Sequence, residues 1–441
     1  MIDLGTVETA PTIGIVDYSR RVTDDYGVTT VVERGFARRM SVRLAVPFDD
    51  GDELQRRLTD LRATPAQWIA DDQFAALSFR GFYKEFEIDH AVPPLSYCTL
   101  TVEGLAATEQ LVDGGTDPAP IGQASTLQLI QPAAITDATL VASTIAETDR
   151  AEWSTGVSYA LGAQVIKAAT HRIYESAVAA NAGDDPAAAS GKWIDIGPTN
   201  RWAMFDQALG TTSSADGSIA VTLNAAARAI ALLDVVAATV RVQAAGYDRT
   251  IATSAGAITF LDLPAGTNQV TVTIAGAGTV SVGTLLLGRL VALGITEASP
   301  TSGITDYSRK EVDDFGEVSI VERASAKRMT AKALIRTDAL DLVANRIAAV
   351  RARPSLWIGQ AGIDSLTIYG FFKDFSIEAG EGVSKLSLSI EGFSTAAKVE
   401  PLGVEWQNVK DSNPAKPKPA DGATNSADPA SPLGPDDTVA D

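Results

Sequence analysis

Short runs of alternating apolar and polar residues dominate the chain. Residues 29–36 (TTVVERGF) and 40–46 (MSVRLAV) are rich in β-branched side chains and predict two strands. The period then changes. Between Asp49 and Leu61, Leu54, Leu58 and Leu61 share one helical face, and Asp49 or Asp50 is placed to cap the helix. Trp68-Ile69, residues 77–80, Phe82 to Ile88 and Leu95 to Val102 return to strand pattern. The order β-β-α followed by several strands predicts a compact sandwich or open barrel carrying one helix.

The same pattern is written twice. PTIGIVDYSR from Pro11 recurs as PTSGITDYSR from Pro300, an offset of 300 − 11 = 289. Without a gap, the match runs from Leu4/Leu293 to Ile88/Ile377. It pairs Glu33-Arg34 with Glu322-Arg323, Arg39-Met40 with Arg328-Met329, and Arg62, Pro65 and Trp68 with Arg351, Pro354 and Trp357. Gly81-Phe82-Tyr83-Lys84 matches Gly370-Phe371-Phe372-Lys373. Roughly two-fifths of the aligned positions are identical, far above chance over such a length, which predicts one fold used twice. In the second copy Val343, Ile347 and Val350 take the helical core places.

Between the copies the chain stays β-like. Residues 126–147 hold two short strand-like runs. From 199 to 292 the runs at 218–223, 239–242, 269–274 and 279–282 alternate or are β-branched, with Gly, Asn and Asp between them. They predict a β-sandwich of jelly-roll or galactose-binding-like type. If the strand-like 135–146 segment belongs to it, the Trp-rich stretch at 151–198 is an insertion. The expected fold class is therefore mainly β. The expected order is an assembly domain at 1–110, linker and first middle strands at 111–150, a small module at 151–198, the sandwich at 199–292, the second assembly domain at 293–400 and an acidic Pro-rich tail at 401–441.

Charge and rare residues narrow the chemistry. The 441-residue chain carries a formal charge of −19, which repels phosphate backbones and argues against direct nucleic-acid binding. An acidic chain is still suited to lining a channel through which DNA slides. Cys98 is the only cysteine, and His90 and His171 are the only histidines, so a multi-cysteine zinc site and a His-rich site are not expected, nor is any cofactor. The first residues lack the basic and apolar regions of a secretion signal. The most apolar run, Val280 to Ile295, is broken by Gly283, Gly288 and Arg289 and is too short to span a bilayer.

Two groups of residues are candidates for binding. Glu33, Arg34, Arg38 and Arg39, repeated as Glu322, Arg323, Lys327 and Arg328, form charge clusters within strand-like sequence. They read either as a solvated sheet face or as an ion-pair row between subunits, which a contact made twice per chain would need twice. The second group is aromatic: Trp153, Tyr159, Tyr174 and Trp193, spaced W-x5-Y-x2-G-x2-V-x8-Y with N-x-G-x2-P and a closing Trp, followed by Trp202. Flat rings stack on pyranose faces, and they also fill the core of a tiny domain.

That spacing resembles the chitin-binding type 3 module, a small three-stranded carbohydrate-binding domain, over about forty-five residues. The family's extra exposed aromatics after the second tyrosine have no counterpart in ESAVAAN at 175–181. The repeat signature DYSRK…DDFGE…VERASAKRM at 306–329, with GPTNRWAMFD at 197–206, resembles tail-tip proteins of long-tailed bacteriophages, near the distal tail and hub proteins. This resemblance implies a virion structural protein without an active site, made in the host bacterial cytoplasm. It implies ring formation by a β-sandwich with one helix related to the tail-tube domain. Two ring domains per chain imply a trimer that continues a sixfold tube, with a hexamer as the alternative. Adjacent tube and hub proteins are the implied partners, with host surface glycan a further one.

Two rivals follow from the same residues. An adhesin would hold host glycan through Trp153, Trp193 or Trp202, with avidity from repetition. A cell-wall glycosidase would need two opposed carboxylates, for which Asp24, Asp25, Asp184 and Asp185 are candidates. Paired acids beside Gly are commonly turn formers, and Asp24-Asp25 recurs as Asp313-Asp314, which favours structure over a unique catalytic site.

Overall fold

Alternating side chains build the first section as an antiparallel sheet. Its strands are β1 (Thr6–Val7), β2 (Thr12–Asp17), β5 (Phe36–Pro47), β6 (Ala66–Ile69), β7 (Ser78–Val92) and β8 (Leu95–Gly104), while β3 (Arg20–Thr23) and β4 (Thr29–Val32) form a separate two-stranded hairpin. The sheet strands pair in the order β2-β5-β8-β7-β6, with β1 also on β5. Along β5, Met40, Val42, Leu44 and Val46 point inward and are buried. The helix α1 (Gly51–Asp60) packs Leu54 and Leu58 into the same core. This computed structural model describes residues 2–8, 10–23, 29–105, 116–188, 190–253, 256–312, 316 and 318–395. The expected tail at 401–441 and Asp24, Asp25, Asp313 and Asp314 lie outside them.

Two local expectations are corrected. Residues 33–35 leave the strand, because the chain must turn from the β3–β4 hairpin into β5. Asp50 sits at the N-cap of α1 but makes no side-chain cap; a 3-10 turn, Phe48–Asp50, leads into the helix instead.

The middle section begins with β9 (Leu127–Pro132) and β10 (Leu140–Ser143). A small module follows. It contains β11 (Ser158–Tyr159) paired with β14 (Asn181–Ala182), and a three-stranded sheet of β12 (Gln164–Lys167), β13 (Arg172–Ser176) and β15 (Trp193–Pro198). The chain then forms β16 (Ser213–Asn224), β17 (Ala229–Val236), β18 (Thr239–Ala244), β19 (Tyr247–Ala252), β20 (Ile258–Phe260) and β21 (Gln269–Thr296). β10 pairs with β16 and buries Leu140 in the middle core, so the module is built between two strands of one sheet.

β21 ties the molecule together. Its 28 residues absorb the apolar run at 280–295 and pair in turn with β18, β16, β17, β9 and the last section. It crosses position 292–293, the expected domain boundary, as one strand. No helix among the described residues is long and apolar enough to cross a membrane.

The last section repeats the first: β22 (Thr301–Asp306), β23 (Arg309–Val312), β24 (Val318–Val321), β25 (Ser325–Arg336), α2 (Leu340–Ala349), β26 (Ser355–Ile358), β27 (Thr367–Glu378) and β28 (Val383–Thr395). Fine contacts recur as well. Trp68 Nε1 donates to Gly81 O at 3.0 Å, and Trp357 Nε1 donates to Gly370 O at 3.1 Å. A Cβ at Gly81 would come within 2.2 Å of Glu103 O, and one at Gly370 within 2.3 Å of Glu391 O, so both strand crossings exclude a side chain. The Tyr18 hydroxyl donates to Glu103 and the Tyr307 hydroxyl to Glu391. The two sections share one apolar core, whereas the middle section and the module each have their own.

Candidate assembly interface and aromatic module

Within the chain the two repeats meet asymmetrically. The start of β2 pairs antiparallel with the end of β27, Ile13 opposite Ile377, and Ala379 N–H donates to Pro11 O at 2.9 Å. Ile13, Ile15, Phe375 and Ile377 are buried there. Gly14 is required by this approach: a Cβ would lie 2.9 Å from Phe375 O.

Charges line the same contact. Glu33 lies 3.5 Å from Arg351 and 3.7 Å from Arg353, and Arg39 lies 3.7 Å from Asp374. The Arg351 guanidinium stands 4.7 Å over the Phe36 ring and donates to Arg34 O at 3.3 Å. The Asp341 carboxylate accepts from the N–H groups of Ala75 and Ala76 at 2.9 and 2.8 Å, while Arg38 donates to Ala75 O. Arg21 donates to Phe372 O at 2.9 Å and lies over Phe371. Of the first charge cluster, Glu33 and Arg39 therefore bridge the repeats, Arg34 takes part through its carbonyl, and Arg38 holds a local turn.

The equivalent surfaces facing outward are open. Ile304 is the counterpart of Ile15 at the 289-residue offset, and it is 63% exposed where Ile15 is 8%. Glu322 and Arg328, the counterparts of Glu33 and Arg39, are exposed. In front of β22 lies a recess of about 390 Å³ bordered by Thr301, Ser302, Arg328, Lys373 and Glu391. Lys327 pairs with Asp364 at 2.7 Å, and the Arg323 N–H donates to Ser308 Oγ. On the other side, the counterparts of Asp341, Arg351 and Asp374 are Asp52, Arg62 and Glu85. Each keeps its charge sign; Asp52 and Glu85 are exposed, and so is Arg62. The partners Arg351, Asp341 and Asp374 were absent from the sequence candidates. Their signal was charge sign kept between copies at positions outside the strand clusters.

The aromatic candidates lie in cores. Tyr174 and Trp193 are buried with Val165, and Trp153 and Tyr159 pack against them. Tyr159 meets Trp193 edge-on at 5.3 Å, Trp193 Nε1 donates to Asp184 O, and the Tyr159 hydroxyl accepts from Ser154 N–H. Trp202 is buried in the middle core, its ring stacked on His171 at 3.9 Å. The His171 nitrogens lie 3.1 Å from Glu147 and 3.2 Å from Asp137. These contacts fasten the module to the middle section beside a recess of about 480 Å³ that also reaches Arg172 and Asp206. Burial pushes the Asp206 carboxyl above its usual range, against hydrogen bonds from Ala208 and Thr211. Tyr174, Trp193 and Trp202 are buried and Trp153 and Tyr159 are half-buried, so the five candidate rings form no open stacking platform.

Asp184 and Asp185, considered as acids, are engaged by Lys192 and Lys167 respectively. Among the described residues no group of three or more His, Cys, Asp or Glu side chains is arranged to hold a metal ion. Comparison with protein-family models and with curated proteins finds no match to this chain.

Proposed function

We propose that this chain is a structural subunit of a long-tailed phage tail tip or baseplate, in which a duplicated domain forms a ring. In this reading two copies of a tail-tube-like β domain flank a middle β-sandwich. The observation that carries it is the unequal burial of equivalent faces. The first repeat's β2 face is closed against the second repeat. The second repeat's β22 face, with Ile304, Glu322 and Arg328, stays open. So does the complementary surface of the first repeat, with Asp52, Arg62 and Glu85.

A contact of this head-to-tail kind, repeated between chains, generates a closed ring when its rotation allows. The interchain contact would set Ser302 of one chain opposite Ile88 of the next, as Ile13 stands opposite Ile377 within the chain. Burying Ile304 and the half-buried Ile88 would stabilise it by roughly 1.5–3 kcal/mol per fully covered side chain. The exposed ion pairs would add register more than energy. Three chains with two domains each would match a sixfold tube, and six chains are the alternative. Tube and hub proteins are the adjacent partners, and the acidic surface suits a lumen that does not hold nucleic acid. The small module, its aromatics turned inward, serves as a positioning element.

The test is a double substitution, Ile88→Cys with Ser302→Cys, made in a chain carrying Cys98→Ala, because Cys98 stands opposite Ile88 on β8 and would otherwise capture the new thiol. Opposed strand residues lie about 5.5 Å apart, within disulfide reach. Mild oxidation is expected to give covalent oligomers that neither single variant forms. Absence of cross-links at a concentration where the chain is oligomeric would reject this contact.

A further inference from the structure

The two repeats differ at one sheet edge. β26 is paired on both sides: with β27, and on its outer edge with β9, where Trp357 stands opposite Leu129 and Ile358 opposite Gln128. β9 is closed in turn by β21, with Leu129 opposite Val291. Leu127 and Leu129 point inward and are fully buried in the core of the repeats. In the first repeat, β6 pairs with β7 and, among the described residues, with no other strand.

The place that β9 would take is a groove. It has a volume of about 520 Å³, walls formed by residues 2–7 and 66–70, and a floor that includes Met40, Val42, Leu44 and Leu100. Ile2 and Leu4 are the counterparts of Val291 and Leu293, which border β9 in the other copy. Ile2 and Trp68 both line this groove, whereas in the other copy Val291 and Trp357 both stand opposite Leu129 of β9. The edge itself, Ala66-Gln67-Trp68-Ile69, carries neither charge nor proline to discourage pairing.

We propose that this groove receives a β-strand from another polypeptide, paired antiparallel with β6 and apolar at alternate positions. The chain shows the mode of binding, because its own β9 fills the equivalent groove. The floor sets the side chains. Val42 and Leu44 stand where the second repeat has Ala331 and Ala333, so the guest's inward residues are smaller than leucine. The outer face sets the rest. Leu356, Ile358 and Tyr369 are buried beside β9, whereas their counterparts Gln67, Ile69 and Arg80 are exposed. The guest is therefore an amphipathic strand, Val or Ala inward and polar outward. Main-chain hydrogen bonds give it affinity and the floor gives it specificity. This site lies apart from the β22–β7 ring contact, so either can fail without the other.

The test uses the full chain and a synthetic peptide of residues 125–132 carrying Leu127→Val, Leu129→Val and Ile130→Thr. The control peptide carries Leu127→Asp and Leu129→Asp. Amide hydrogen exchange is followed with and without about 1 mM peptide, a concentration that detects weak strand addition. The valine peptide is expected to slow exchange about tenfold or more at residues 66–70, as new main-chain hydrogen bonds form, and the control to leave it unchanged. No slowing, or equal slowing by both peptides, would overturn the proposal. Slowing caused by raising the protein concentration alone would also overturn it, by making a second copy the occupant.

Discussion

Glu33 and Glu322 hold the same place in the two repeats and meet different surroundings. Glu33 reaches Arg351 and Arg353 within the chain, whereas Glu322 is exposed and the counterpart of Arg351, Arg62, lies on the opposite open face. If the two faces meet between chains, Glu322→Arg sets like charges together and weakens self-association about tenfold, on the order of 1 kcal/mol. Adding Arg62→Glu restores it. Sedimentation of the two variants checks both outcomes, and equal weakening by the double variant would count against the pairing. Such residue roles were partly legible in the sequence. The duplicated Glu-Arg clusters read as a contact between subunits or a solvated face; within the chain Glu33 and Arg39 reach Arg351, Arg353 and Asp374 of the second repeat. Sequence did not separate Arg38 and Lys327, which hold local turns through Ala75 O and Asp364. Charge clusters read alike whether their partner is near in space or across an interface. Nor did aromatic spacing separate a stacking platform from a core, because a module of this size needs large rings to exclude water.

At the scale of elements, the strands, the single helix per repeat and their order followed from period and β-branching. The length of β21 did not, because glycines that punctuate a sequence also sit within a strand where backbones approach closely. A Cβ at Gly288 would lie 2.0 Å from Gln131 O, on the neighbouring β9. β9 itself depends on a loop lock just before it. Asp117 accepts from the Ala119 and Ser125 N–H groups and from Ser125 Oγ. Burial pushes its pKa up, but these hydrogen bonds, with help from the Arg346 charge, leave it below the usual carboxylate range. A folded pKa below the unfolded value means that the stabilisation is complete above about pH 4 and fades as pH falls through the folded value. Asp117→Asn is therefore expected to cost about 1 kcal/mol at neutral pH, solvent screening keeping it small, with the difference from the parent chain shrinking below about pH 4. Urea unfolding at several pH values checks this, and a difference that persists in acid would show that the carboxylate charge is not what locks the loop.

For the whole molecule, duplication has a physical consequence beyond economy of design. In the proposed ring, two repeats joined head to tail would satisfy one contact internally and leave one of each face for a neighbour. The sequence showed the repeat but not which faces were closed, since burial at Ile15 and exposure at Ile304 arise from the same apolar residue type. The most direct measurement is the mass of the purified chain by light scattering, joined to class averages from negative-stain microscopy. A mass of three times the 46.1 kDa chain, with a ring and a central hole, is the expected result; a sixfold mass would select the hexamer. A particle that stays monomeric at high concentration, without any ring, would contradict self-assembly through the duplicated domain.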